Sequence, residues 1–119
     1  MLLIAGEDDP GTMLRPRLEA AGADLNRVKF VVRDEETQTG IPNLPKDRYE
    51  LRNLIEETEA VLVVIDPWLS VVAPNIQVKD TQQARIVLDP LSTLARETGA
   101  AILIVGHTNR SDSDLTPCG

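Results

Sequence analysis

AVLVVIDPWLSVV, residues 60–72, is an apolar run that ends in a carboxylate, Asp66, followed at once by Pro67. The uninterrupted apolar stretch 61–65 is short and rich in valine and isoleucine, as expected of a strand buried on both faces of a parallel sheet. An acid closing such a strand stands at the sheet edge, a pattern by which a nucleotide-hydrolysing enzyme holds a metal ion. An Asp-Pro pair after a strand is also a common turn, so the motif alone does not decide between chemistry and punctuation. The usual companion of the chemical reading is a phosphate-gripping loop, G-x-x-x-x-G-K-[ST], and no Gly-Lys pair occurs anywhere in the 119 residues.

Three further runs share this character: 2–5, 28–32 and 101–105. Helical patterns lie between most of the four. Asp9 and Pro10 offer a cap and a first helical position, with Leu14, Leu18 and Ala21 on one face and Gly22 to close the end; Pro16 fits only near a first turn. The polar segment 33–45, with Gly40, Pro42 and Pro45, reads as an exposed loop or small hairpin. Asp47 then caps a helix that turns Leu51, Leu54 and Ile55 inward. Asp80 and Gln83 make a capping-box pattern ahead of Ala84, Val87, Leu88, Leu91, Leu94 and Ala95, whose helical spacing runs to Gly99 with a bend expected at Pro90. Strands alternating with helices predict an α/β fold with right-handed crossovers, a parallel sheet, and function at the carboxyl ends of the strands.

Composition agrees. The chain is 42% hydrophobic but only 3% aromatic, so its core must be aliphatic. A net charge of -7 repels a nucleic-acid backbone unless bases are gathered locally. One cysteine, Cys118, and one histidine exclude an internal disulfide and make a structural zinc site improbable. No apolar run approaches the roughly 18 residues that a membrane span needs, and the N-terminus lacks the basic flank of a signal peptide. The expectation is a soluble, cytoplasmic protein, with 111–119 as a disordered tail.

Three of the four strands run into polar groups that belong together chemically. The first leads into GEDD with Glu7, Asp8 and Asp9, the third ends at Asp66, and the fourth leads into GHTNR with His107 and Arg110. In a parallel sheet these lie on one edge, where Glu7, Asp66 and His107 can converge on one ligand. Taken singly, each has a plainer role: Asp8 and Asp9 as helix-capping acids, Asp66 as a turn residue, His107 as the polar stop of a strand.

LLIAGEDDPGTMLRPRLEAAGA (2–23), VLVVIDPWLSVV (61–72) and LDPLSTLARETGAAILIVGHTNR (88–110) together resemble the RecA-like ATPases of the RepA-like replicative helicase group, AAA-family ATPases that form hexameric rings on DNA. The resemblance covers most of 2–110. It implies that Glu7 polarises the attacking water, that Asp66 is the Walker B aspartate holding magnesium through its water shell, and that His107 senses the γ-phosphate of ATP. It places Arg110 as the basic residue following that histidine, and 70–79, with its single lysine Lys79, where the family has segments facing the ring channel. It also implies the sheet order 28–32, 2–5, 61–65, 101–105.

In that family the strand and loop that grip the phosphates come before the segment beginning here at Met1, and further strands follow Arg110. The expectation is therefore a partial RecA-like core, 1–110, inactive alone and binding neither ATP nor Mg2+ tightly, because backbone amides and a lysine around the phosphates supply much of the affinity. With its neighbour missing, the apolar strand 101–105 is expected to drive self-association. Two alternatives stand beside this reading: a non-catalytic interaction module using the open sheet edge, and a magnesium-dependent hydrolase built on Glu7, Asp8, Asp9 and Asp66.

Overall fold

The computed structural model describes residues 1–6, 14–32 and 40–106. Among these, four strands form one sheet: β1 (Leu2–Ala5), β2 (Lys29–Val32), β3 (Leu62–Asp66) and β4 (Ala101–Ile104). Three helices connect them: α1 (Arg15–Ala20), α2 (Arg48–Thr58) and α3 (Thr81–Thr98). The sheet order is β2-β1-β3-β4 and every pairing is parallel, which is the predicted α/β architecture in the predicted order.

Strand periodicity sorts the side chains. Val31, Ile4 and Ile65 lie in register across β2, β1 and β3, and Leu2 sits opposite Val63. Residues two apart share a face, so this set forms one surface. It packs with Leu51 and Ile55 of α2 and Val87, Leu91 and Leu94 of α3 in a single aliphatic core. Each fully buried Leu or Ile contributes about 1.5–3 kcal/mol of hydrophobic stabilisation, so this cluster is the main source of stability. The alternate set on the other face contains the buried Leu3 and Ala5 of β1 and the half-buried Leu62, Val64 and Asp66 of β3.

Several local expectations change. The described part of the first helix is Arg15–Ala20, with Pro16 in its opening turn. Asp9 and Pro10 lie outside the described residues. This six-residue helix buries none of its side chains, and Leu14 and Leu18 are only half-covered while Ala21 is exposed. The segment 33–45 is not simply an exposed loop: 33–39 lie outside the described residues, but Ile41, Pro42 and Leu44 are buried. Leu44 donates its N–H to the carbonyl of Val71 at 2.7 Å and forms a parallel bridge with Val72, so this stretch borrows strand-like pairing from the chain after β3.

The caps differ too. Asp47 precedes α2, but its carboxylate accepts the N–H of Asn43 at 2.9 Å instead of capping the helix. Asp80 caps α3 by accepting from the N–H of Gln82 at 2.9 Å. Gln83 does not complete the capping box: its Oε1 accepts the N–H of Gln77 at 2.8 Å, extending the cap into the preceding turn. The helix α3 runs unbroken through Pro90 to Gly99, whose left-handed φ of 74° ends it in the conformation that glycine adopts without steric cost. Among the described residues, no helix is long and apolar enough to cross a membrane.

Candidate functional site

The carboxyl edge of the sheet is built by three adjacent strands and one turn. Asp66 is the last residue of β3 and pairs with Ala5, the last of β1. One residue further, Gly6 donates its N–H to the Asp66 carbonyl at 3.2 Å. On the other side, Val105 donates to the carbonyl of Ile65 at 2.9 Å, continuing the ladder beyond β4. Parallel pairing thus delivers the ends of β1, β3 and β4 side by side.

The peptide bond after Asp66 is cis, and Pro67 opens a 3-10 turn, Trp68–Val71, across this edge. Trp68 donates its N–H to the carbonyl of Val105 at 2.9 Å, and its indole lies against Gly106. Ser70 lies against Gly6 so closely that the glycine has no room for a side chain: a Cβ built there would stand 2.5 Å from the Ser70 Cβ and nearer still to its Oγ. Val71 is fully buried and anchors the turn in the core, while Val72 and Ile76 pack against it. The segment 70–79 is therefore seated on the core for much of its length, with Lys79 exposed.

Asp66 is half-buried at this edge, as its place in the sequence predicts. Glu7, Asp8, Asp9, His107 and Arg110 lie outside the described residues, as does the expected tail 111–119. The structure fixes the residues before two of them, Gly6 ahead of Glu7 and Gly106 ahead of His107, on either side of Asp66. Among the described residues, no group of three His, Cys, Asp or Glu side chains is placed to hold a metal ion. A separate groove of about 250 Å3 opens between α2 and α3, lined by Arg48, Tyr49, Arg52, Pro90 and Glu97. There Arg52 donates to Glu56 and Glu97, both at 3.1 Å, and its hydrogen bond to Glu56 followed by the charge of Glu97 raises its pKa above the ordinary arginine value. This groove belongs to the helical layer and not to the carboxyl edge.

Gly6, Trp68, Ser70 and Gly106 were not singled out by the sequence reading. A signal was present: two of the strands that lead into candidate chemistry are closed by a glycine directly before the polar residue, as GE and GH. Paired glycines at that position mark close backbone approach, and the partners that approach are Ser70 and Trp68.

A parallel sheet in the order β2-β1-β3-β4, with a carboxylate closing an interior strand, defines a partial RecA-like fold of the kind that P-loop ATPases are built on. The comparison with known families agrees: residues 1–113 match the AAA domain family, and the chain belongs to this ATPase-like family. No curated protein matches the chain.

Proposed function

We propose that this chain is the carboxylate-bearing part of the ATP site of a RepA-like, DNA-dependent ATPase or helicase. The observation that supports the reading is the Ala5–Asp66 register with the Gly6 N–H on the Asp66 carbonyl, which sets Gly6, the residue before Glu7, beside Asp66. In this reading 1–110 is the ATPase core, Glu7 polarises water, Asp66 holds Mg2+ through its water shell, His107 senses the γ-phosphate and Arg110 follows it in a supporting role. The donor chemistry at Asp66 suits magnesium, a hard cation that takes one or two carboxylates and keeps most of its waters. Magnesium bound there would neutralise charge developing on the transferred phosphate.

These 119 residues contain no Gly-Lys pair to cradle the phosphates, so this chain alone neither binds ATP tightly nor turns it over. Titration calorimetry with Mg-ATP tests this. A dissociation constant in the low micromolar range, or turnover that Glu7→Gln abolishes, would refute it. The coding sequence upstream of Met1 tests the parentage: a glycine-rich loop ending in Lys-Thr or Lys-Ser in the same frame supports the ATPase reading, and a stop codon there supports the alternative.

That alternative is a non-catalytic interaction module, favoured by the exposure of Leu103 and Ile104 on β4. Such an apolar edge seeks pairing, and a second copy of this chain is the partner proposed here, in place of the hexameric DNA-bound ring of the intact family.

A further inference from the structure

We infer that the 3-10 turn Trp68–Val71 is a bracket that sets the spacing of the two strand ends flanking Asp66, with Ser70 and Trp68 as positioning residues for the segments that begin at Glu7 and His107. The inference rests on the functional reading above for what those two segments do, but its geometry stands independently. The turn, together with the end of β3 from which it springs, grips each neighbouring strand end twice. At β1 the grips are the Gly6 N–H on the carbonyl of Asp66, at 3.2 Å, and the Ser70 side chain seated on Gly6. At β4 the grips are the Trp68 N–H on the Val105 carbonyl, at 2.9 Å, and the indole against Gly106, where an added Cβ would meet Cδ1 at 3.8 Å.

Both side chains belong to one short turn tied down by the fully buried Val71 and by the Leu44 N–H on its carbonyl. The Ser70 N–H donates to the Pro67 carbonyl at 3.0 Å, which keeps Ser70 and Trp68 in fixed relation. Packed elements of this kind move as units, so a displacement at Gly6 must reach Gly106 through the turn. The two contacts are unequal. Gly6 has no spare room, whereas Gly106 leaves an ordinary van der Waals gap. The bracket is therefore tight toward the strand leading to Glu7 and looser toward the strand leading to His107.

Nuclear magnetic resonance on the full chain without nucleotide tests this, because the single tryptophan gives one indole N–H signal and the single histidine one set of ring signals. Gly6→Ala should shift the Trp68 indole signal, the Gly106 amide and the His107 ring signal together. Adding Ser70→Ala to Gly6→Ala should leave those shifts in place, since the Ser70 Cβ still overlaps; adding Ser70→Gly should return them toward wild type. Should Gly6→Ala fail to fold, Gly106→Val, whose methyl groups reach beyond the point at which a Cβ meets the indole at 3.8 Å, should move the Trp68 indole and the Gly6 amide. The inference is overturned if the signals near Gly106 ignore Gly6→Ala, if Ser70→Ala restores them as fully as Ser70→Gly, or if Gly106→Val leaves the Gly6 amide in place. Failure of the ATPase reading would appear instead in the Mg-ATP titration and the upstream coding sequence, with these couplings intact.

Discussion

The two outer strands of the sheet present opposite surfaces. At one side, β2 shows an exposed lysine, Lys29, a Phe30 half-covered beneath the Arg15 guanidinium at 5.7 Å, and a buried Val31. At the other, β4 is AILI without a charge or proline, with Leu103 53% and Ile104 36% exposed. Beside it, Leu88, Leu91, Ala95, Ile102 and Ile104 line an open trough of about 190 Å3 between α3 and the strand. Natural sheets guard an outer strand with lysine, proline or charge, and β2 carries such a guard where β4 does not. The sequence of β4 is as uniformly apolar as that of a buried strand, and the lesson is that two outer strands of one sheet need not be equally protected.

The largest expected effect separates the interior from this edge. Ile65→Ala in β3 should cost about 2–5 kcal/mol, since it empties a fully buried site, whereas Leu103→Ala on β4 should cost less than about 1 kcal/mol. Urea titrations of both variants check this; equal losses would mean that β4 is covered in solution. Next comes association: the wild-type chain should self-associate, and Ile104→Lys should weaken association by about tenfold or more, or about 1.4 kcal/mol, read by light scattering across a dilution series. The matching change at the guarded edge, Lys29→Val, should increase association; a wild-type chain that is a clean monomer would break the comparison.

A smaller effect is expected at the helix that leads into β4. Asp80→Ala removes the side-chain cap of α3 and should cost about 1 kcal/mol by thermal denaturation, with hydrogen exchange in α3 accelerated more than in β2. The smallest effect is at Arg52, whose bridges to Glu56 and Glu97 join α2 to α3 on the surface. Arg52→Ala should lower stability slightly, the loss shrinking further in high salt, and should leave association unchanged. Because the folded pKa is raised, that contribution is present from neutral pH up to the ordinary arginine range, while both glutamates stay ionised, and is lost as pH climbs through the raised value. A pH scan across neutrality should show no change from it.

The strands and the aliphatic core were legible in the sequence because each rests on a strong local signal: unbroken apolar runs, helical spacing at Val87, Leu91 and Leu94, and Gly99 as a stop; the strand order came only through the resemblance to RecA-like ATPases. Boundaries moved by a residue where pairing decides: Val61, apolar but 77% exposed, falls outside β3, while Asp66 falls within it. What the sequence hid was tertiary. Nothing local says that Ile41 and Leu44 turn inward within a Gly- and Pro-rich stretch, or that Gln83 reaches back to Gln77. The bracket at Trp68 and Ser70 was hidden for the same reason, since its partners are sixty-four and thirty-eight residues away, from Gly6 to Ser70 and from Trp68 to Gly106.

Asp66 stands on the alternate face of β3, in step with Ala5 and Val64, while Val63 and Ile65 face the helices. Chemistry and architecture are thereby written in different letters of the same five-residue word. A substitution at the acidic letter can change what the sheet edge offers a ligand without disturbing the letters that pack against α2 and α3. The shape of the sheet is for that reason a more durable trace of ancestry than the character of its edge.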